Sequence, residues 1–172
     1  EITASAPNGA YYGLVTLAQL FQLNDGKICS LEIEDSPTMP LRGISDDISR
    51  GQISTLQNFK DIIRRMSHVK CNVYMPYMED TFEFKKYPES GKFSDPVTQE
   101  EWKELIDYAK DYYVTIIPIF NTIGHWDKNA KLEFFYPYVM KENDDPNGLP
   151  CTSVDVRKPE SQQLIYDMLD EL

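Results

Sequence analysis

Apolar residues return at helical spacing in four stretches of the chain. Residues 10–23 carry Leu14, Leu17, Leu20 and Phe21 on one face, and Asn24, Asp25 and Gly26 end the pattern. Residues 54–70 align Leu56, Phe59, Ile62, Ile63 and Met66 behind Ser54 or Thr55 as N-cap. Residues 98–113 open with Thr98 and Glu101 at capping-box spacing and continue with Trp102, Leu105, Ile106 and Ala109. Residues 159–172 start at Pro159, which suits a first helical turn, and present Leu164, Ile165, Met168, Leu169 and Leu172. Between the helices lie short apolar runs. Residues 28–34, 41–47, 71–80 and 114–120 read as strands, and the prolines of residues 35–40 mark a linker.

From residue 41 onward the order is strand, helix, strand, helix, strand, helix. That order predicts parallel βα units of an α/β protein. Two connections, 81–97 and 121–158, are unusually long. Ordered loops of that length are normally functional. Both follow the carboxyl ends of predicted strands, where α/β barrels and open α/β sheets alike place their sites. A parallel sheet buries both faces, so three strands ending in an apolar helix read as part of a larger protein.

Composition narrows the classes. The 172 residues are 41% hydrophobic and 26% charged, which are globular values. A net charge of −11 argues against binding nucleic acid, which needs clustered Lys and Arg. No apolar run approaches the roughly 20 residues of a membrane span. The start at Glu1, without Met, reads as that of a mature or excised segment. Cys29, Cys71 and Cys151 are too few and too widely spaced for a metal site or disulfide framework, and Cys71 reads as a buried thiol.

The side chains able to do chemistry gather at predicted strand ends: Arg42 with Asp46 and Asp47; Glu79 with Asp80; Asn121 with His125 and Trp126; and the aromatics Tyr74, Tyr77, Phe82 and Phe84. In a barrel these ends converge on one mouth. Aromatic faces and bidentate Arg or Asp groups suit a sugar. Each has a plainer reading. Arg42 and Asp47 can be a strand-end ion pair, and Glu79 and Asp80 solvated acids. His125 can cap a helix, Trp126 can be packing, and the aromatics can be core. No phosphate loop, serine-hydrolase elbow or H-E-x-x-H motif occurs.

Taken in order, the segments resemble family 20 glycoside hydrolases, the β-N-acetylhexosaminidases. The helix before the barrel in that family is matched by Gly9, Gly13, Thr16, Leu17, Gln19 and Leu20. The entry into its first strand is matched by Asp35, Pro37, Arg42, Gly43, Asp47 and Arg50. "VKCNVYMPYMED" is similar to the second strand and "IIPIFNTIGH" to the third, with Ile119, Asn121 and Ile123 where the family usually has Glu, Asp and Pro.

The resemblance implies the N-terminal portion of a (β/α)8 TIM barrel, about three βα units over residues 39–172, stopping before a fourth strand. Residues 1–38 would be the last helix and strand of a small α/β domain, with a linker. It implies a hydrolase releasing terminal β-linked N-acetylhexosamine, with the substrate's acetamide as nucleophile. An adjacent Asp-Glu pair on the fourth strand would orient the acetamide and act as acid and base, and Asp170-Glu171, on a helix, is not that pair. Arg42 corresponds to the arginine holding sugar hydroxyls, and Asp80 and His125 to a pair supporting the acid. Asn121 and Trp126 are expected beside the substrate. No cofactor, metal or nucleic acid is expected, and the partner is an N-acetylhexosamine-containing glycan. A secreted or bacterial periplasmic location and self-association of the isolated segment are also expected. The alternative is a non-catalytic carbohydrate-binding protein on a degenerate barrel.

Overall fold

A computed structural model describes residues 1–172. Its helices form where the apolar periodicity places them: α1 Pro7–Leu23, α2 Leu56–His68, α3 Gln99–Asp111 and α4 Pro159–Leu169. The start of α2 is fixed by Thr55, whose hydroxyl accepts from the Asn58 N–H. The start of α3 is fixed by a complete capping box between Thr98 and Glu101.

Three strand positions alternate with α2 and α3: β1 Gly43–Asp47, β2 Val73–Met78, and a third made of β3 Thr115–Ile116 and β4 Ile119–Phe120. All pair in parallel on β2, which is central. The third is interrupted at Ile117 and Pro118, because Pro118 has no N–H for a ladder. β1 comes so close to β2 that a Cβ on Gly43 would lie 1.8 Å from the Val73 carbonyl oxygen, so only glycine fits there.

Alternation along β2 gives the sheet two faces. Tyr74 and Met78 are buried beneath the helices, where Phe59, Ile63 and Leu105 are also fully enclosed. Phe59 joins the layers, 6.3 Å from the Tyr74 ring and 5.6 Å from that of Trp102. On the opposite face, register sets Gly43 beside Val73, Ser45 beside Met75 and Asp47 beside Tyr77.

Several sequence expectations are corrected. Residues 28–34 form no strand: they have no neighbouring strand to pair with, and Leu31 and Ile33 are 50% and 51% exposed. The predicted face of α1 is turned outward at Leu14, Leu17 and Phe21. The helix docks instead through Val15, a Tyr11–Ser67 hydroxyl bond of 2.6 Å and Gln19 donating to the His68 carbonyl. Ile106 is exposed and Cys71 is half-buried.

The connection 121–158 is not simply a loop. It holds short 3₁₀ turns and an antiparallel pair, β5 Val139–Lys141 with β6 Pro150–Val154, around Trp126, Phe135 and Val139. The connection 81–97 closes on itself by a Phe82–Val97 bridge and is tied to α4. Lys86 and Tyr87 both bond Asp167, at 2.8 Å each. Glu171 accepts from the amides of Lys85 and Lys86 and from the Gln99 side chain.

Two outcomes follow for stability. Phe59→Ala should cost about 3–5 kcal/mol in urea unfolding, because it opens a cavity between two rings; a loss under about 1 kcal/mol would remove Phe59 from the core. The bonds from Lys86, Gln163 and Tyr87 lower Asp167 to about 2. A carboxyl depressed in the folded state stabilises above its unfolded value of about 4, and that contribution is lost as pH falls toward 2. Asp167→Asn should therefore flatten the acid limb of stability against pH below about 4, and an unchanged limb would contradict the tie.

Candidate functional site

The carboxyl edge of the sheet brings together residues from three strand ends. Asp47 ends β1, Tyr77 and Glu79 lie at the end of β2, and Asn121 follows β4. Arg50 reaches over them from the turn after β1. Its Nε donates to Asp47 Oδ2 at 3.0 Å, and a terminal nitrogen lies 2.9 Å from Glu79 Oε1. The guanidinium carbon stands 5.5 Å from the centre of the Tyr77 ring. The Tyr77 hydroxyl donates to Glu79 at 3.0 Å and accepts from the Asn121 side-chain amide.

The electrostatics follow from burial. Glu79 has a side chain 5% exposed, whereas Arg50 is 56% exposed. The Glu79 charge, then that of Asp47, raises the Arg50 pKa, so it stays protonated. Burial, then the bond to Glu79, pushes the Tyr77 hydroxyl above its ordinary range and keeps it a donor. Asp47 takes Nε and Glu79 meets one terminal nitrogen, and Arg50 also lines a cleft of about 290 Å³. Asp46, Asp47, Ile48, Gln52 and Ser54 complete the cleft, and Asp46 accepts a 2.7 Å bond from Tyr74.

The residues expected at the site divide. Asn121 stands at the carboxyl edge, bonded to Tyr77. Arg42 lies before β1, at the opposite edge. Its Nε donates to the Lys70 carbonyl at 2.9 Å and its Nη1 to the carbonyls of Met39 and Pro40, and it covers the Tyr12 ring. Asn72 bonds the Arg42 N–H and the Pro40 carbonyl, and Lys70 pairs with Asp35. These motif residues fasten the linker beneath the sheet. A residue preceding a five-residue strand is separated from its far end by about 17 Å, so Arg42 does not join Asp47.

Asp80 and His125 are not paired. Asp80 is 2% exposed, and its oxygens are taken by Lys128 at 2.8 Å and by the Ser94 hydroxyl. His125 is exposed on left-handed backbone, φ +57°. Trp126 is buried with its ring 5.6 Å from that of Phe135, and its main-chain N–H donates to the Thr152 carbonyl. Tyr74, Phe82 and Phe84 are core, so of the four aromatics only Tyr77 borders the cleft. Glu171 binds the 85–86 amides, far in role from any proton transfer. No group of three His, Cys, Asp or Glu residues is arranged to hold a metal ion, and no helix is long and apolar enough to cross a membrane. Arg50, matched in the sequence only as part of a motif, joins Glu79, already a strand-end candidate, at this edge. The direction of β1 was the available signal, since Arg50 follows the strand and Arg42 precedes it.

The Asp80–Lys128 contact joins the two long connections through a buried charge. Lys128→Met should cost about 2 kcal/mol in urea unfolding, because it leaves that carboxylate short of a donor. Adding Asp80→Asn should restore most of the loss. A single variant as stable as the parent would contradict the tie.

Residues 39–172 match the family model "Glycosyl hydrolase family 20, catalytic domain". A beta-hexosaminidase subunit beta of Entamoeba histolytica is 33% identical over 155 residues, 83% of this chain and 27% of that protein. A beta-hexosaminidase of Porphyromonas gingivalis is 28% identical over 150 residues, 73% of this chain and 19% of that protein. The chain thus spans about a quarter or less of these relatives' lengths. A crystal structure of a beta-N-acetylhexosaminidase superposes with a TM-score of 0.81 at 23% identity, covering 98% of this chain and 41% of that one. The exo beta-N-acetylglucosaminidase of Vibrio harveyi, in complex with N-acetylglucosamine, superposes at 0.73 and 21% identity, covering 98% and 31%. With its parallel βα architecture and the match over residues 39–172, the chain belongs to glycosyl hydrolase family 20.

Proposed function

We propose that this chain supplies one wall of the sugar site of an exo-acting β-N-acetylhexosaminidase, with Arg50 as the residue that binds sugar hydroxyls. One observation carries the reading: Arg50 is pinned by Asp47 and Glu79 over Tyr77 at the carboxyl edge, and it lines the cleft there while 56% exposed. A guanidinium held in this way offers a planar fork of donors whose ordering cost is met before the ligand arrives. Asp47 and Glu79 add acceptor oxygens. Site location at the carboxyl ends of parallel strands is what a (β/α)8 barrel requires.

The chemistry proposed is release of a terminal β-linked GlcNAc or GalNAc, in which the substrate's acetamide oxygen attacks the anomeric carbon. The Asp that orients the acetamide and the Glu that serves as acid and base would come from barrel residues outside 1–172. Residues 1–172 would bind the sugar ring and hold it in register with that pair. Proximity of this kind lowers the barrier only if the ring is fixed within a fraction of an ångström.

The engagement of Asp80 by Lys128 and Ser94, rather than by His125, favours the second reading of a carbohydrate-binding protein without turnover. Full-length protein that binds N-acetylglucosamine but releases no phenol from an aryl β-N-acetylglucosaminide would establish that second reading.

For the hydrolase, Arg50→Ala in the full-length protein should lower kcat/KM on the aryl glycoside roughly 100-fold, the loss of two charge-assisted hydrogen bonds. Arg42→Ala should lower the thermal midpoint and leave KM near the parent value. The reverse pattern would return the sugar-binding assignment to Arg42.

A further inference from the structure

The cleft around Arg50 carries one cation and three carboxylates. Asp47 and Glu79 contact the guanidinium directly, at 3.0 and 2.9 Å, and Asp46 lines the same cleft. Gln52, Ser54 and Ile48 bring no further charge. Glu79 is the enclosed member of the set, and three contacts fix its place. Its main-chain N–H donates to Ser49 Oγ at 2.9 Å, and its Oε1 accepts from Tyr77 and meets Arg50. Asn121 in turn donates to the Tyr77 hydroxyl, so the carboxylate is braced from the end of β4 as well.

We infer that Glu79 is a specificity-determining residue: with Asp47 it over-compensates the charge of Arg50, so the cleft offers hydrogen-bond donors without net positive charge and selects neutral sugars over sugars bearing sulfate or carboxylate. This rests on the reading of the cleft as a sugar site. The physical reason is simple. A guanidinium with free N–H groups would ordinarily attract any anion, sulfate included. Here an anion reaching Arg50 also approaches Asp47, Glu79 and Asp46, a repulsion felt at contact distance and weakened as salt rises. A sugar hydroxyl meets no such opposition. It can donate to a carboxylate as well as accept from the arginine, so all the groups present act in its favour.

The test uses the full-length protein with N-acetylglucosamine and its 6-sulfate, followed by calorimetry, and with the corresponding 4-nitrophenyl glycosides, followed by kcat/KM. The parent should prefer the neutral member by at least 100-fold. Glu79→Gln keeps the shape and an acceptor for Tyr77 but removes the charge, and should narrow the preference at least ten-fold, through tighter binding of the sulfated sugar. The preference of the parent should also narrow as ionic strength rises, which needs no variant to fold. Equal affinity for the two sugars, a preference indifferent to salt, or an unchanged ratio in well-folded Glu79→Gln would each overturn the inference. Turnover separates the underlying reading: a protein that hydrolyses neither glycoside is not the proposed hydrolase, while the ratio of the two dissociation constants still decides the role of Glu79.

Discussion

The central strand, Val73–Met78, is the constraint on which the other parts depend. It is hydrogen-bonded on both sides, to the Gly43–Asp47 strand and to both halves of the third strand. Its side chains alternate between two environments. Tyr74 and Met78 enter the helical layer against Phe59 and its neighbours, while Tyr77 turns to the other face beside Asp47. A one-residue slip would exchange the two sets, bringing a charged cleft under the helices and the aromatic core into solvent. The glycine at 43 holds the register from the adjacent strand, because no side chain fits against the Val73 carbonyl. Tyr74 with the core and Tyr77 with Arg50 and Glu79 therefore lie on opposite faces of one strand.

The two edges of the sheet divide the charged residues by role. Below, Arg42, Lys70, Asn72 and Asp35 fasten the linker and the first helix through main-chain carbonyls and an ion pair. Above, Arg50, Asp47, Glu79, Tyr77 and Asn121 form a connected polar group beside a cleft. Linker fastening and the polar cleft occupy opposite ends of the same strands, and the carboxyl end is where parallel α/β proteins ordinarily place their sites. Asp80 belongs to neither end. It sits between the two long connections and holds them together.

Much of this was legible in the sequence where local rules suffice. The helices at 56–68 and 99–111 were announced by a capping threonine and an apolar stripe, and the parallel order by alternation of strands and helices. What was not legible depended on partners distant in sequence. Residues 28–34 have the composition of a strand but no strand beside them. The first helix has an apolar face at Leu14, Leu17 and Phe21, yet it docks through Tyr11, Val15 and Gln19. The pairing of Asp80 with His125 was an implication of the family resemblance alone. The left-handed turn at His125, with Lys128 one turn further on, gives the carboxylate a different partner, and no periodicity encodes that choice. Arg42 and Arg50 lie within one motif, and only the direction of the strand between them separates the linker fastening from the carboxyl edge.

The carboxylate of Glu171 has a consequence for how the chain is made. It receives the amides of Lys85 and Lys86, 86 and 85 residues earlier in sequence. At a synthesis rate of about 5–20 residues per second, those amides wait on the order of 10 s on the ribosome before their acceptor exists. During that interval the 81–97 connection has its own Phe82–Val97 bridge but not its anchor on the last helix. The 81–97 connection is thus among the last parts of these residues to be ordered during translation, and a chaperone or a nascent-chain protease would meet it in its open form.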